Sequence, residues 1–267
     1  MRATVIVSEY LSYIPAVVIF LRRYARAQGI HAWVTSIALV AVLMQPATIL
    51  VGHGHFQYNT VMLGLVVATL ESIFAGRMLW ACIFFVAALG FKQMALYYAP
   101  VIFAYLVGIC FSPRVRIWRF VSIGMITIVA FAILFAPLIA GSLYDKYWDT
   151  PLNVPMPPLL LSLPVTLNES SWVYPPILQL SQSIHRIFPF ARGLFEDKVA
   201  NLWCSLHTFY KLNRFSSNLL QRVSLTATTV TILAPCALIG RYPRHRLLPL
   251  ALSSAAWGFF LCSFQVH

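Results

Sequence analysis

Long apolar stretches, broken by short clusters of arginine, set the pattern of this chain. A helix needs roughly 20 predominantly apolar residues to cross a bilayer, somewhat fewer where flanking side chains snorkel. On that criterion the candidate spans are about 5–21, 32–51, 58–74, 78–91, 93–111, 118–139, 223–240 and 247–264. The fourth and fifth are short and share Lys92 and Gln93 between them. The pattern changes between 140 and 222. From Ser142 to Pro176 the chain is proline-rich, follows neither the helical nor the strand period, and reads as irregular. From Phe195, apolar residues at 195, 199, 202, 203, 206, 209 and 210 form a helical stripe. Asp197, Asn201, Thr208 and Lys211 occupy the opposite face. An amphipathic, aromatic-rich helix of this kind lies along a membrane interface rather than crossing it. Gly193 would supply the turn before it, and Glu196 and Asp197 the acids that a helix start favours.

Composition supports a membrane setting. The chain is 60% hydrophobic and 10% charged, and its mean hydropathy is +0.79. These values place it among all-α, polytopic membrane proteins. No polar linker divides it, so 1–267 reads as one membrane-embedded body, with 140–222 a long loop. The net charge of +12 does not require nucleic acid, because excess Lys and Arg gather in the cytoplasmic loops of membrane proteins. With Arg22, Arg23 and Arg26 in the cytoplasm, alternating spans bring Arg77, Arg114, Arg116, Arg119, Arg241, Arg244 and Arg246 to the same side. The other side receives 53–59, Lys92, Gln93, the long loop and His267. Glu9 and the arginines after it argue against a cleaved signal peptide. Cys82, Cys110, Cys236 and Cys262 lie inside apolar runs, which argues against a disulfide framework. Asn168-Glu169-Ser170 is a glycosylation sequon, usable only on a luminal side.

Polar chemistry is confined to a few places. His53, His55, Gln57, Tyr58 and Asn59 crowd one short turn, as either an ordinary interfacial turn or a water- or substrate-facing site. As a metal site the His-x-His is weak, having no carboxylate or Cys beside it in sequence. Lys92 is either a snorkelling interface residue or a phosphate partner. The stretch His185–Asn201 gathers Arg186, Arg192, Glu196, Asp197 and Lys198 in a chain poor in charge. Arg192 suits a phosphate, or else an ion pair with Glu196 or Asp197. Glu9 reads as an acid near the end of the first span, paired with a neighbour. No Gly-rich phosphate loop, nucleophile elbow or Cys-x-x-Cys is present.

HGHFQYNTVMLGL (53–65), FKQMALYYAP (91–100), HRIFPFARGLFEDKVANLWC (185–204) and FQVH (264–267) together resemble the endoplasmic-reticulum α-1,3-glucosyltransferases that act on lipid-linked oligosaccharide. FKQMALYY and RGLFEDKVAN are closest to the member that adds the first glucose. The resemblance implies a GT-C type helix bundle with its active side in the lumen. Its reaction would be an inverting transfer of glucose from dolichyl-phosphate glucose to a mannose of the dolichyl-pyrophosphate-linked glycan. It implies no metal, no cofactor, no nucleic-acid partner, and a monomer in the membrane lipid. Lys92, Arg192 and His267 become candidates for the donor phosphate. His53, His55, Gln57, Tyr58, Asn59 and Gln93 become pocket residues, and Glu196, Asp197 and Lys198 scaffold. The family's catalytic Asp belongs to an acidic luminal loop upstream of MRATVIVSEYL, and the family continues beyond QVH, so the chain reads as a fragment. The stretch 142–176 has no counterpart in the resemblance and reads as an insertion or a gene-model artefact. A catalytically incomplete remnant and a polytopic lipid-handling or transport protein are the alternatives. The transport reading would need charges inside the spans, and these contain few.

Overall fold

The computed structural model describes residues 2–50, 58–148, 171–187, 202–211 and 216–262. Among them the chain is all-α. Helix α1 (Arg2–Ser8) continues through a π-helical turn, Glu9–Tyr13, into α2 (Ile14–Gln28). Gly29, in the left-handed region at φ 67°, ends α2. Ile30 N–H bonds Ala25 O at 2.9 Å and Gly29 N–H bonds Arg26 O at 3.4 Å, the paired bonds of a Schellman stop. Helix α3 (Ala32–Leu43) follows, then α4 (Pro46–Ile49), α5 (Asn59–Phe74) and α6 (Met78–Phe91). A 3-10 turn, Gln93–Tyr97, leads into α7 (Ala99–Phe111), and α8 runs from Ile117 to Tyr147. Helices α9 (Tyr174–Ile187), α10 (Leu202–Phe209), α11 (Ser217–Arg241) and α12 (Leu248–Cys262) complete the chain.

Several expected spans are shorter than the apolar pattern suggested. Among the described residues three helices are long and apolar enough to cross a membrane: Ala3–Gln28, Ile117–Tyr147 and Asn218–Arg241. The expected span 32–51 divides at Gln45, because the residue before Pro46 is pushed out of helical geometry. The span 78–91 is as expected and ends at Lys92, which is extended at φ −152° and ψ 133°, whereas 93–111 is shortened to Ala99–Phe111 by the 3-10 turn before it. Ser142–Pro176 is not irregular throughout. Helix α8 carries on to Tyr147, and α9 begins at Tyr174 with Pro175 and Pro176 in its first turn, where missing amide protons cost nothing. Residues 149–170 lie outside the described set. Of the stripe beginning at Phe195, Leu202–Phe209 is helical and 195–201 lie outside.

The chain clusters into two compact units, Met1–Ala130 with Thr226–Phe260, and Phe131–Leu225 with Leu261–His267. In the first, Leu70, Ile73, Phe85, Ile102, Tyr105, Ile123, Ile239, Leu248 and Leu252 belong to one buried apolar cluster drawn from six helices. Helices α1–α2 and α5 run in the same direction. Thr4 and Tyr58 share a hydrogen bond of 2.7 Å at one end, and Arg23 meets Glu71 at 2.8 Å near the other. Midway, Gly64 faces the backbone of Ser12 and Tyr13 so closely that a Cβ there would sit 2.8 Å from Tyr13 Cα. Helix α6 turns back at Gly76 (φ 74°) and returns to the start of α5. Helix α7 lays Gly108 against Gly240, where an added Cβ would lie 2.6 Å from the Gly240 carbonyl oxygen. The ring of His245 rests on Phe74 at 5.1 Å, while Phe259 stacks on Tyr97 at 4.6 Å.

These contacts give the first unit two chemically different ends. One gathers Arg22, Arg23, Arg26, Arg77, Arg241 and His245, with Arg116 tied by its amide to Cys110 O at 2.8 Å. The other gathers Thr4, Tyr58, Asn59, Lys92 and Tyr97. The arginine clusters that alternation assigned to one side do share one end.

The second unit is held by polar ties as well as apolar ones. Lys146 Nζ donates to Ser171 O at 2.6 Å and lies 5.9 Å from the Trp172 ring centroid. Trp203 packs on Leu220. Its indole N–H and the Ser224 hydroxyl both donate to Cys262 O, each at 2.8 Å.

Candidate functional site

The lysine end of the first unit is where the described polar candidates meet. Lys92 follows the last residue of α6, and its amide closes that helix on Ala88 O at 3.0 Å. Its ammonium donates to Asn59 Oδ1 at the first residue of α5. The antiparallel α5–α6 pair therefore brings together two residues 33 positions apart. Burial pushes the Lys92 ammonium below its ordinary pKa, since the charged form loses water. Gln93, half-buried, opens the 3-10 turn beside it. Tyr58 precedes α5 in the left-handed region at φ 52°, a geometry that strains a bulky residue. The hydrogen bond to Thr4 holds its phenol there.

Three further residues belong to this end, and sequence reasoning did not assign them to the site. Thr60, next to Asn59, is 1% exposed, and its hydroxyl has no hydrogen-bond partner among the described residues. Burying such a group unsatisfied costs about 1–3 kcal/mol, a cost that tends to be kept where it serves a ligand. Thr4 anchors Tyr58 from another helix. Glu9 is 8% exposed and opens the π-helical turn, which packs on α5. Single-turn π segments inside α-helices concentrate at functional sites. Spacing could have exposed none of these, because each depends on contacts across helices. His53, His55, Gln57, Arg192, Glu196, Asp197, Lys198 and His267 lie outside the described residues.

A cation beside an amide side chain, at the start of a helix, can receive an oxyanion. The sequence model of the ALG6, ALG8 glycosyltransferase family matches residues 1–148 and 159–267. The chain belongs to that family. Its all-α, polytopic architecture accords with the GT-C type bundle that the resemblance implied. The family match omits 149–158, which lie within 142–176.

A Schizosaccharomyces pombe protein described as a probable dolichyl pyrophosphate Man9GlcNAc2 alpha-1,3-glucosyltransferase is 41% identical over 269 residues. The Saccharomyces cerevisiae dolichyl pyrophosphate Man9GlcNAc2 alpha-1,3-glucosyltransferase is 40% identical over 271 residues, and the Gallus gallus protein of that name 31% over 274. Each alignment takes in 100% of this chain but only 46%, 44% and 46% of the respective relative. The chain thus spans a little under half the length of these family members.

Proposed function

We propose that this chain is part of an α-1,3-glucosyltransferase of N-glycan precursor assembly in the endoplasmic-reticulum membrane. The donor is dolichyl-phosphate glucose, and the acceptor is a mannose of dolichyl-pyrophosphate-linked Man9GlcNAc2. The lysine end of the first unit faces the lumen, and the arginine end the cytoplasm. The observation that carries this reading is the Lys92–Asn59 pair at the end opposite the arginine clusters, in a chain whose relatives bear that activity in their names.

In an inverting transfer the acceptor hydroxyl attacks the glucose anomeric carbon on the face opposite the phosphate. The bond from that carbon to the phosphate oxygen breaks, and its electron pair leaves with dolichyl phosphate. A general base takes the hydroxyl proton, and cations stabilise the departing phosphate. Lys92, Arg192 and His267 have the second role. Tyr58, Asn59 and Gln93, with His53, His55 and Gln57, line the pocket. The resemblance assigns the base to an Asp in the acidic luminal loop of longer family members. Glu196, Asp197 and Lys198 are scaffold at a helix start.

The test is transfer to unglucosylated lipid-linked glycan in membranes carrying a full-length form. Arg192→Ala and Lys92→Ala are each expected to lower kcat/KM by roughly 10- to 100-fold, the loss of one charge-assisted hydrogen bond of about 1.5–3 kcal/mol. Transfer at the parental rate in Arg192→Ala would remove Arg192 from the phosphate site. The same result in Lys92→Ala would reduce Lys92 to a snorkelling interface residue.

A further inference from the structure

Helices α2 and α3 enclose a crevice of ≈ 350 Å³ at the arginine end of the first unit, lined by Val18, Leu21, Arg22, Arg26, Thr35 and Leu39 among others. Arg22 and Arg26 are four residues apart, so their side chains lie on one face of α2. Arg23 is committed elsewhere, to Glu71 at 2.8 Å. Neither Arg22 nor Arg26 has an acidic partner among the described residues. Thr35 and Ser36 bring hydroxyls from α3, their protons donated to His31 O and Ala32 O. The remaining wall is aliphatic. Helix α3 has no buried residue, and Trp33, Ile37 and Val40 stand 66%, 60% and 60% exposed, so the helix that forms one wall of the crevice also presents an apolar surface.

Two guanidinium groups at the polar end of an apolar trough match an amphiphile with a phosphate head. We infer that the α2–α3 crevice binds an anionic phospholipid, its phosphate between Arg22 and Arg26 and its first acyl carbons along Val18, Leu21 and Leu39. Paired guanidiniums hold phosphate oxygens in a fork that a zwitterionic headgroup satisfies less well. Basic pockets between membrane helices are a recurrent device for such headgroups. This site lies at the end of the unit opposite Lys92, so it is separate from the donor site proposed above and does not depend on it.

The experiment is native mass spectrometry of the purified protein in detergent, titrated with phosphatidic acid, with phosphatidylcholine, or with inorganic phosphate. One phosphatidic acid is expected to remain bound where phosphatidylcholine does not. Arg22→Ala with Arg26→Ala is expected to lower the bound fraction roughly tenfold or more. Arg114→Ala with Arg116→Ala, which removes the same charge from another exposed place, is expected to leave it unchanged. Ala32 also lines the crevice, and Ala32→Phe, which fills it without altering charge, is expected to abolish retention. Equal losses in the two double-arginine variants, or retention in Ala32→Phe, would reduce the effect to diffuse attraction and overturn the site. Displacement of the lipid by inorganic phosphate at equal concentration would overturn the lipid assignment.

Discussion

Lys92 is a cation that the fold has partly stripped of water, and this gives its proposed role a pH signature. Burial lowers its pKa because the ammonium is the form that loses solvation. As pH rises through that lowered value the ammonium becomes a neutral amine and no longer attracts a phosphate. The kcat/KM for glucose transfer by a full-length form is therefore expected to fall on the alkaline side sooner than an ordinary lysine would allow. Lys92→Arg keeps the charge across the accessible range, so its alkaline limb is expected to move to higher pH. An alkaline limb identical in parent and Lys92→Arg would mean that another group titrates there. The sequence already marked Lys92, because a lone cation between two apolar runs stands out. Its partner did not show, since Asn59 is 33 residues away and only the α5–α6 turn makes them neighbours. Thr60 and Glu9 were harder still. A buried hydroxyl and a π-helical turn leave no mark in apolar periodicity.

At the scale of elements, close packing rests on glycines that a hydropathy reading passes over. Helix α5 approaches the π-helical turn at Gly64, where a methyl group would meet backbone atoms of Ser12 and Tyr13 at 2.8–2.9 Å. Backbone cannot swing aside as a long side chain can, so the two helices would have to separate. Gly64→Ala is expected to destabilise the first unit by about 1–3 kcal/mol, read as a lowered Tm in detergent. Gly124→Ala is the control. Nothing lies within 4 Å of its added Cβ, and a helix-interior alanine is intrinsically favoured over glycine by up to about 1 kcal/mol. Equal Tm losses in the two variants would show that steric approach at Gly64 is not what matters. Helix existence was legible wherever apolar runs were long, as at Ile117–Tyr147. Helix ends were legible at Phe74, Met78 and Phe91, which agree with the expected spans 58–74 and 78–91. They were missed at Gln45 and within 93–111, where Pro46 and the 3-10 turn set them through local backbone geometry rather than hydropathy. Helix α9 escaped because its prolines suggested a loop, although at a first turn they suit a helix.

At the scale of the whole molecule the question is which end of the first unit faces which compartment. Counting spans gives an answer that one miscount would invert, and several expected spans are short helices of 12 to 16 residues. The packing supplies an argument that does not depend on the count. Arg23 meets Glu71, His245 meets Phe74, and Gly108 meets Gly240, so four separate stretches of chain converge at one end. Thr4 with Tyr58, and Asn59 with Lys92, converge at the other. Excess arginine at one end and near-absence at its opposite is the asymmetry that membrane insertion produces, with the arginines retained in the cytoplasm. In sealed microsomes, a cysteine in place of exposed Arg77 is expected to react with a membrane-impermeant maleimide without permeabilisation. A cysteine in place of exposed Phe91, one residue before Lys92, is expected to react only after the membrane is opened. The parent chain, with Cys82 and Cys110 buried, sets the background. The reverse pattern would put Lys92 and Asn59 in the cytoplasm, away from a luminal acceptor glycan, and would remove the proposed donor site. Labelling of both positions in sealed vesicles would mean that the α5–α6 pair does not cross the bilayer, and that the two ends of this unit share one compartment.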